Sequence, residues 1–284
     1  MKIKVISDIH GHYKEMIKSL EEVNYNENED KLIVLGDLFD RGEESLEVYN
    51  YLKRLKEKGN VIILHGNHED FIIDFLKGKD CSFNFRYNGF DKTIDSFLGQ
   101  TNAWFMFNLY CDDNKDLAIS IYGDRVKSII EDYEAVPIEI KFDVFQDYVR
   151  EDINKNYPEL LDWLESLPYY YETDNYIFTH ASIDGSCEDW HSPTYSKYED
   201  WSPWKWLTWD NGSFYEQDIK NTDKTIVVGH FYTDYIRKRY DLPFDSKLSN
   251  DILYGEQKIF IDSCVPITRR LNVLQIEDSI VGGS

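Results

Sequence analysis

Thiols are scarce in this chain and follow no ligand pattern. The four cysteines, Cys81, Cys111, Cys187 and Cys264, form no CxxC pair and no zinc-like cluster. That argues against a disulfide framework or a thiolate metal site, and free thiols in a reducing compartment are expected. Long apolar runs are also missing; none approaches the ~20 residues that a membrane span needs. No signal-like segment precedes the opening MKIKVISDIH, which runs straight into a strand pattern. A cytoplasmic protein with no membrane partner is the expectation. Positive charge is the third deficit: 31 Lys and Arg stand against 53 Asp and Glu, a net charge of −22. Binding to a nucleic-acid duplex, which calls for a basic face, is therefore not expected. A basic pocket on an acidic body stays compatible with this balance, and the body as a whole attracts cations.

What is present is globular. The 284 residues are 42% hydrophobic and 15% aromatic, which suits a single α/β domain over 1–284 with a well-buried core. The first part reads as βαβαβ. Strand patterns at 2–7, 31–35 and 61–64 alternate with helical spacing at 13–23 and 44–58. Alternation of this kind predicts a parallel sheet, with sites gathered at the carboxyl ends of its strands. Later apolar runs at 176–179, 225–228, 258–261 and 271–276 have few helices between them and predict a second sheet packed on the first. Helical signals at 70–76, 87–98 and 142–154 predict a helical insertion or lid over about 71–157. The stretch 183–215 reads as a loop. It carries Trp190, Trp201, Trp204, Trp206 and Trp209, which either line a cleft or pack a mini-core of their own.

Chemistry-bearing residues follow the apolar runs. SDIHGH places Asp8 and His10 two apart, on one side of extended chain. GDLFDRG places Asp37 at the next strand end, where its two oxygens can bridge two metals. GNHE adds the amide oxygen of Asn67, and YIFTHA and TIVVGH add His180 and His230. Any one of these has a bland alternative as a cap, a turn or a core histidine. Six hard or borderline donors at strand ends together predict a site for two divalent metals with oxygen and nitrogen ligands. A metal pair of that kind suits phosphoryl transfer. His68 neighbours Asn67 and so points elsewhere, as a general acid toward a leaving group. Asp40 is the candidate to fix its tautomer and raise its pKa, or else simply to cap the next helix. Arg41 offers a planar fork matched to phosphate oxygens. Glu69 is expected to brace the loop, and His12 and His65 either to support the ligands from behind or to be structural.

The set DIHG, GDLFDRG, GNHE, THA and VGH resembles the calcineurin-like metallophosphoesterase superfamily. DRG and GNHE are similar to its phosphoprotein-phosphatase branch, which includes serine/threonine protein phosphatases and symmetrical diadenosine tetraphosphatases. The likeness covers about 1–70 and 158–265; the stretch 81–157 matches no part of it. The resemblance implies a four-layer αββα sandwich of two mixed β-sheets. It implies Asp8, His10 and Asp37 on one metal, and Asp37, Asn67, His180 and His230 on the other. His68 would be the acid paired with Asp40, and Arg41 a phosphate clamp. Manganese is the usual metal in bacterial-type members, with iron or zinc as alternatives. A metal-bridging hydroxide would attack phosphorus in line. The first function this implies is a serine/threonine-phosphatase-like enzyme acting on phosphomonoesters of a phosphoprotein. The alternative is a nucleotide-directed hydrolase, such as a symmetrical dinucleoside tetraphosphatase or an RNA-end phosphatase. A non-catalytic metal-bound module is the third. Two departures stand out. The family's second phosphate-binding Arg, expected in a stretch like LLWIR, is replaced in WKWLTWDN by Asp210 or Asn211, leaving Lys205 or Arg237 as substitutes. FIDSC resembles a strand ending in IDTG but lacks its Gly, and Asp262 there is expected to buttress the metal loops.

Overall fold

The computed structural model describes residues 2–99, 138–185, 187–192, 204–209, 219–243 and 250–278. Three of the four strands of the first sheet are parallel: β1 (Lys2–Ile6), β2 (Lys31–Val34) and β3 (Val61–Ile63). Helices α1 (Tyr13–Glu22) and α2 (Ser45–Lys58) connect them. In α2 the buried residues Val48, Tyr49, Leu52 and Leu55 recur at helical spacing, so one stripe faces the sheet. A run of helices follows: α3 (Asn67–Leu76), α4 (Ser82–Tyr87), α5 (Phe90–Leu98), α6 (Ile138–Asn156) and α7 (Leu160–Glu165).

The second sheet holds β4 (Tyr170–Glu172), β5 (Tyr176–Thr179), β6 (Thr225–Val228), β7 (Leu253–Tyr254) and β8 (Lys258–Phe260). Helices α8 (Lys205–Trp209) and α9 (Thr233–Arg239) lie between its strands in sequence, and the short α10 (Val265–Thr268) follows them. The last strand, β9 (Leu274–Glu277), returns to the first sheet. The strand orders are β3-β2-β1-β9 and β4-β5-β6-β8-β7. Both sheets are mixed: β9 is antiparallel to β1, and β4 and β7 are antiparallel to β5 and β8.

Three apolar layers separate four layers of structure, giving the expected αββα sandwich. Ile3, Val5, Ile33 and Leu35 of the first sheet meet Phe178, Val227 and Ile259 of the second. On the outer side of the first sheet, Ile6, Leu32 and Val34 pack on α1 to α7. Ile177, Ile226 and Val228 pack on α8 and α9. The side-chain alternation of each strand accounts for this division.

Two sequence-based expectations are corrected. The run at 271–276 was expected in the second sheet; β9 instead pairs with β1, with Leu274 opposite Val5 and Ile276 opposite Ile3. Both inner faces are equally apolar, so alternation alone does not tell which sheet a late strand joins. The single helix expected over 87–98 is broken at Gly89, whose φ of 72° lies in the left-handed region and separates α4 from α5. Cys81, Cys187 and Cys264 are free thiols, whereas Cys111 falls outside the described residues. Among the described residues no helix is long and apolar enough to cross a membrane.

Candidate active site

The carboxyl ends of β1, β2, β3, β5 and β6 point the same way, and the loops after them carry Asp8, Asp37, Asn67, His180 and His230. The backbone there is unusual. Asp8, His10, Asp37, Asp40, Arg41 and His230 all have positive φ, from 46° to 72°. Non-glycine residues rarely adopt this conformation, and strain of this kind concentrates at functional sites. Tertiary hydrogen bonds hold it. His10 N donates to Asp37 O at 3.0 Å, and Asp8 N to Gly36 O at 3.2 Å.

Asp37 is central. Its Oδ1 lies 3.3 Å from His180 Nε2, and its Oδ2 lies 3.6 Å from His10 Nε2 and 3.8 Å from His68 Nε2. Burial would raise its pKa, but the surrounding His180, His68, His10 and His230 outweigh that and lower it. His180 Nδ1 donates to the Leu35 carbonyl at 2.7 Å. That tautomer leaves a lone pair on Nε2, which faces Asn67 Oδ1 at 2.9 Å and His230 Nδ1 at 3.2 Å. His10 repeats the pattern: Nδ1 donates to Phe39 O at 2.9 Å, and its buried Nε2 has no hydrogen-bond partner. Asp8 accepts from Ser7 Oγ and from His230 N at 3.0 Å, and its Oδ1 is 4.0 Å from His10 Nε2.

These donors fit divalent cations. Two groups, His10–Asp37–His68 and Asp37–His180–His230, bring their ligand atoms within 4.8 Å of one another. The Nε2 lone pairs of His10 and His180 both face Asp37 oxygens, an arrangement that a cation resolves. Charge strain agrees. Asp8 is raised well above its ordinary pKa by burial and by the charges of Asp262 and Asp37. Asp262 is pushed up to about 6, mainly by burial. His230 is driven down to about 3 by burial and by His180.

His68 is set apart by its second nitrogen. Nδ1 lies 2.6 Å from Asp40 Oδ2, and Nε2 is 3.3 Å from the Arg41 guanidinium. Burial lowers its pKa, but Asp37 and the Asp40 hydrogen bond overcome this and raise it. Asp40 is itself anchored from α5: Thr93 Oγ1 donates to its Oδ1 at 2.8 Å and accepts from its N at 2.8 Å. Glu69, fully buried, accepts from Asp37 N and Gly66 N through one oxygen and from Leu38 N through the other, at 2.8 to 2.9 Å. It therefore braces two ligand loops. Asp262 accepts from Cys264 N at 2.7 Å, shaping its own loop.

The tryptophans divide. Trp190, Trp204 and Trp206 turn inward: Trp190 is buried in the core of the second sheet, Trp204 packs against that core and stacks on Tyr169 at 5.1 Å, and Trp206 is buried. Trp209 instead meets Phe71 at 5.6 Å, and Phe71 meets the His68 ring at 5.0 Å. Trp209 Nε1 donates to Asp70 Oδ2 at 3.0 Å, and Asp70 Oδ1 lies 2.9 Å from His65 Nε2. Lys205 lies over the Trp209 ring at 5.7 Å. Arg237 is turned away, donating to the carbonyls of Asp251 and Ile252 at 3.4 Å. Trp201, Asp210 and Asn211 lie outside the described residues. Motif reading missed Thr93, which sits in a stretch with no motif to point to it.

The chain is 40% identical over 97 residues to a symmetrical bis(5'-nucleosyl)-tetraphosphatase of Buchnera aphidicola, covering 34% of each protein. It is 25% identical over 206 residues to the enzyme of that name in Cronobacter sakazakii, covering 66% of this chain and 70% of that one. At the higher identity, then, the match spans about a third of the relative. A cold-active protein tyrosine phosphatase has a similar fold, with a TM-score of 0.52 and 18% identity over 97% of this chain and 73% of that one. The family profile of calcineurin-like phosphoesterases matches residues 1–256, so the chain belongs to that family, one of metal-dependent phosphoric ester hydrolases.

Proposed function

We propose that this protein hydrolyses the phosphoanhydride chain of a dinucleoside polyphosphate. The phosphoprotein reading, expected first from the motifs, has less support, because the curated relatives bear tetraphosphatase names. The observation that carries the proposal is the Phe71–Trp209 pair beside His68. Both rings are partly exposed, and Phe71 packs on the ring of His68. Such a face can stack a nucleobase, worth about 1–3 kcal/mol per base.

Asp8, His10 and Asp37 would hold one divalent ion, and Asp37, Asn67, His180 and His230 the other, with manganese, iron or zinc as candidates. Bound there, the ions supply positive charge that draws electrons from phosphorus and offsets charge on its oxygens. Arg41 orients the attacked phosphoryl group through its guanidinium fork. His68, its Nδ1 held by Asp40, delivers a proton from Nε2 to the departing oxygen. Asp40 thereby balances the imidazolium before transfer. The insertion expected over about 71–157 would contribute to the site through α5, where Thr93 anchors Asp40.

The test is hydrolysis of diadenosine tetraphosphate against a phosphoserine peptide. Metal-stripped protein would be resupplied with manganese, iron or zinc in turn. Faster cleavage of the tetraphosphate, with nucleoside diphosphate as product, is expected. A higher kcat/KM on the peptide would overturn the proposal.

A further inference from the structure

Beside the candidate site lies a cavity of about 360 Å³, bordered by the loops after β1 and β2 and by α1, α5 and α10. Four cations line it, Lys14, Arg41, Lys92 and Arg269, together with three glutamates. This is a local excess of positive charge on a chain of net charge −22. Two of the cations are already engaged: Lys14 pairs with Glu44, and Arg269 lies 3.4 Å from Glu15. Arg41 both lines the cavity and reaches His68, its guanidinium 3.3 Å from Nε2, which ties the space to the candidate acid. Among the described residues no carboxylate is ion-paired with Lys92.

The backbone fixes Lys92 beside Arg41. The carbonyl oxygen of Gly89 accepts from Arg41 N and from Lys92 N, each at 3.2 Å. A side chain at Gly89 would put its Cβ 2.7 Å from Arg41 N, so only glycine permits this approach. The helical segment thus brings one cation next to the phosphate clamp, from a part of the chain that the family motifs do not reach.

We propose that this cavity is a subsite for the phosphate next to the attacked one, with Lys92 as its cation. The ligand class is a linear polyphosphate, free or within a nucleotide. Lys92 would then take up the charge neutralisation left undone by the missing second Arg. This deepens the proposed function and rests on it for the nucleotide: the leaving half of the substrate would run along Phe71 and Trp209, and the retained half along Lys92. A substrate with two polyphosphate arms needs two such paths.

Inorganic tripolyphosphate separates this idea from the nucleotide reading, because it has no base. Its binding to the full chain is measured by titration calorimetry beside that of orthophosphate. Tripolyphosphate should bind more tightly. Lys92→Ala should weaken tripolyphosphate about tenfold, the effect of losing one charge-assisted contact. It should weaken orthophosphate by less than about twofold on the same reasoning. Lys92→Arg should retain binding, and Lys58→Ala, at the end of α2 where the chain enters β3, should change neither ligand. Equal loss for both ligands would place Lys92 at the attacked phosphate and overturn the subsite. Equal affinity of the wild type for both ligands would do so too. Failure to cleave diadenosine tetraphosphate, with tripolyphosphate selectivity intact, would sink the nucleotide reading alone.

Discussion

Thr93→Val tests whether the helical segment sets the catalytic geometry. The change is nearly isosteric but removes a hydroxyl that serves two partners at once. Thr93 Oγ1 donates to Asp40 Oδ1 and accepts from Asp40 N, both at 2.8 Å, and neither residue has any exposed surface. Valine leaves the Asp40 N–H buried without an acceptor, at a cost of about 1–3 kcal/mol, and takes one donor from a carboxylate, at about 1.5–3 kcal/mol. Ser45 Oγ, 3.3 Å from the same hydroxyl, can recover part of this by turning. A net loss of about 3 kcal/mol is expected, or roughly 5 °C in Tm for a chain of this length. Thr93→Ser keeps both hydrogen bonds and gives up one buried methyl, about 1 kcal/mol. Urea unfolding of the two variants is the assay. Turnover should fall about tenfold in the valine variant alone, because Asp40 would hold the His68 ring less firmly. A valine variant no less stable than the serine variant would refute the reasoning.

Three further outcomes follow from the same geometry. His68→Asn should slow turnover about 10²-fold or more on substrates with poor leaving groups while metal content is unchanged; loss of metal, read by plasma emission, would make His68 a ligand instead. Asp37→Asn should lose bound metal outright, since its two oxygens face both histidine groups, and full metal content would rule out the bridging role. Gly229→Ala should destabilise the fold by more than about 3 kcal/mol, because the new Cβ would stand 1.8 Å from Ser7 Oγ and 2.2 Å from Asp8 Oδ2; a near-native urea midpoint would show that the loops can part.

Much of the architecture was legible because strand ends announce themselves. Runs such as KLIV and TIVV are too short and too β-branched to be helices, and glycine with a polar residue follows each. The parallel order then puts Asp8, Asp37, Asn67, His180 and His230 on one edge. Other features were hidden for physical reasons. Thr93 and Lys92 carry no signal of their own; their roles come from a closure spanning 53 residues between Asp40 and Thr93. Five tryptophans in one loop look alike in sequence, yet Trp190 is buried in the second core while Trp209 stands beside Phe71. The left-handed backbone at His10, Arg41 and His230 runs against intrinsic preference, and only tertiary hydrogen bonds sustain it.

The site also does structural work across the seam between the sheets. Asp8 of the first sheet accepts from the backbone of His230 in the second, and His180 donates back to Leu35 of the first. Gly229 packs against Ser7 where any side chain would push the strands apart. The contacts that fix the candidate ligands are therefore the same contacts that lock sheet to sheet, above the shared layer of Ile3, Val5, Ile33, Phe178 and Val227. Ligand spacing follows from sheet packing, which does not deform continuously. A change of volume in that layer, remote from every donor atom, would be felt as a change in the distance between Asp37 and His180.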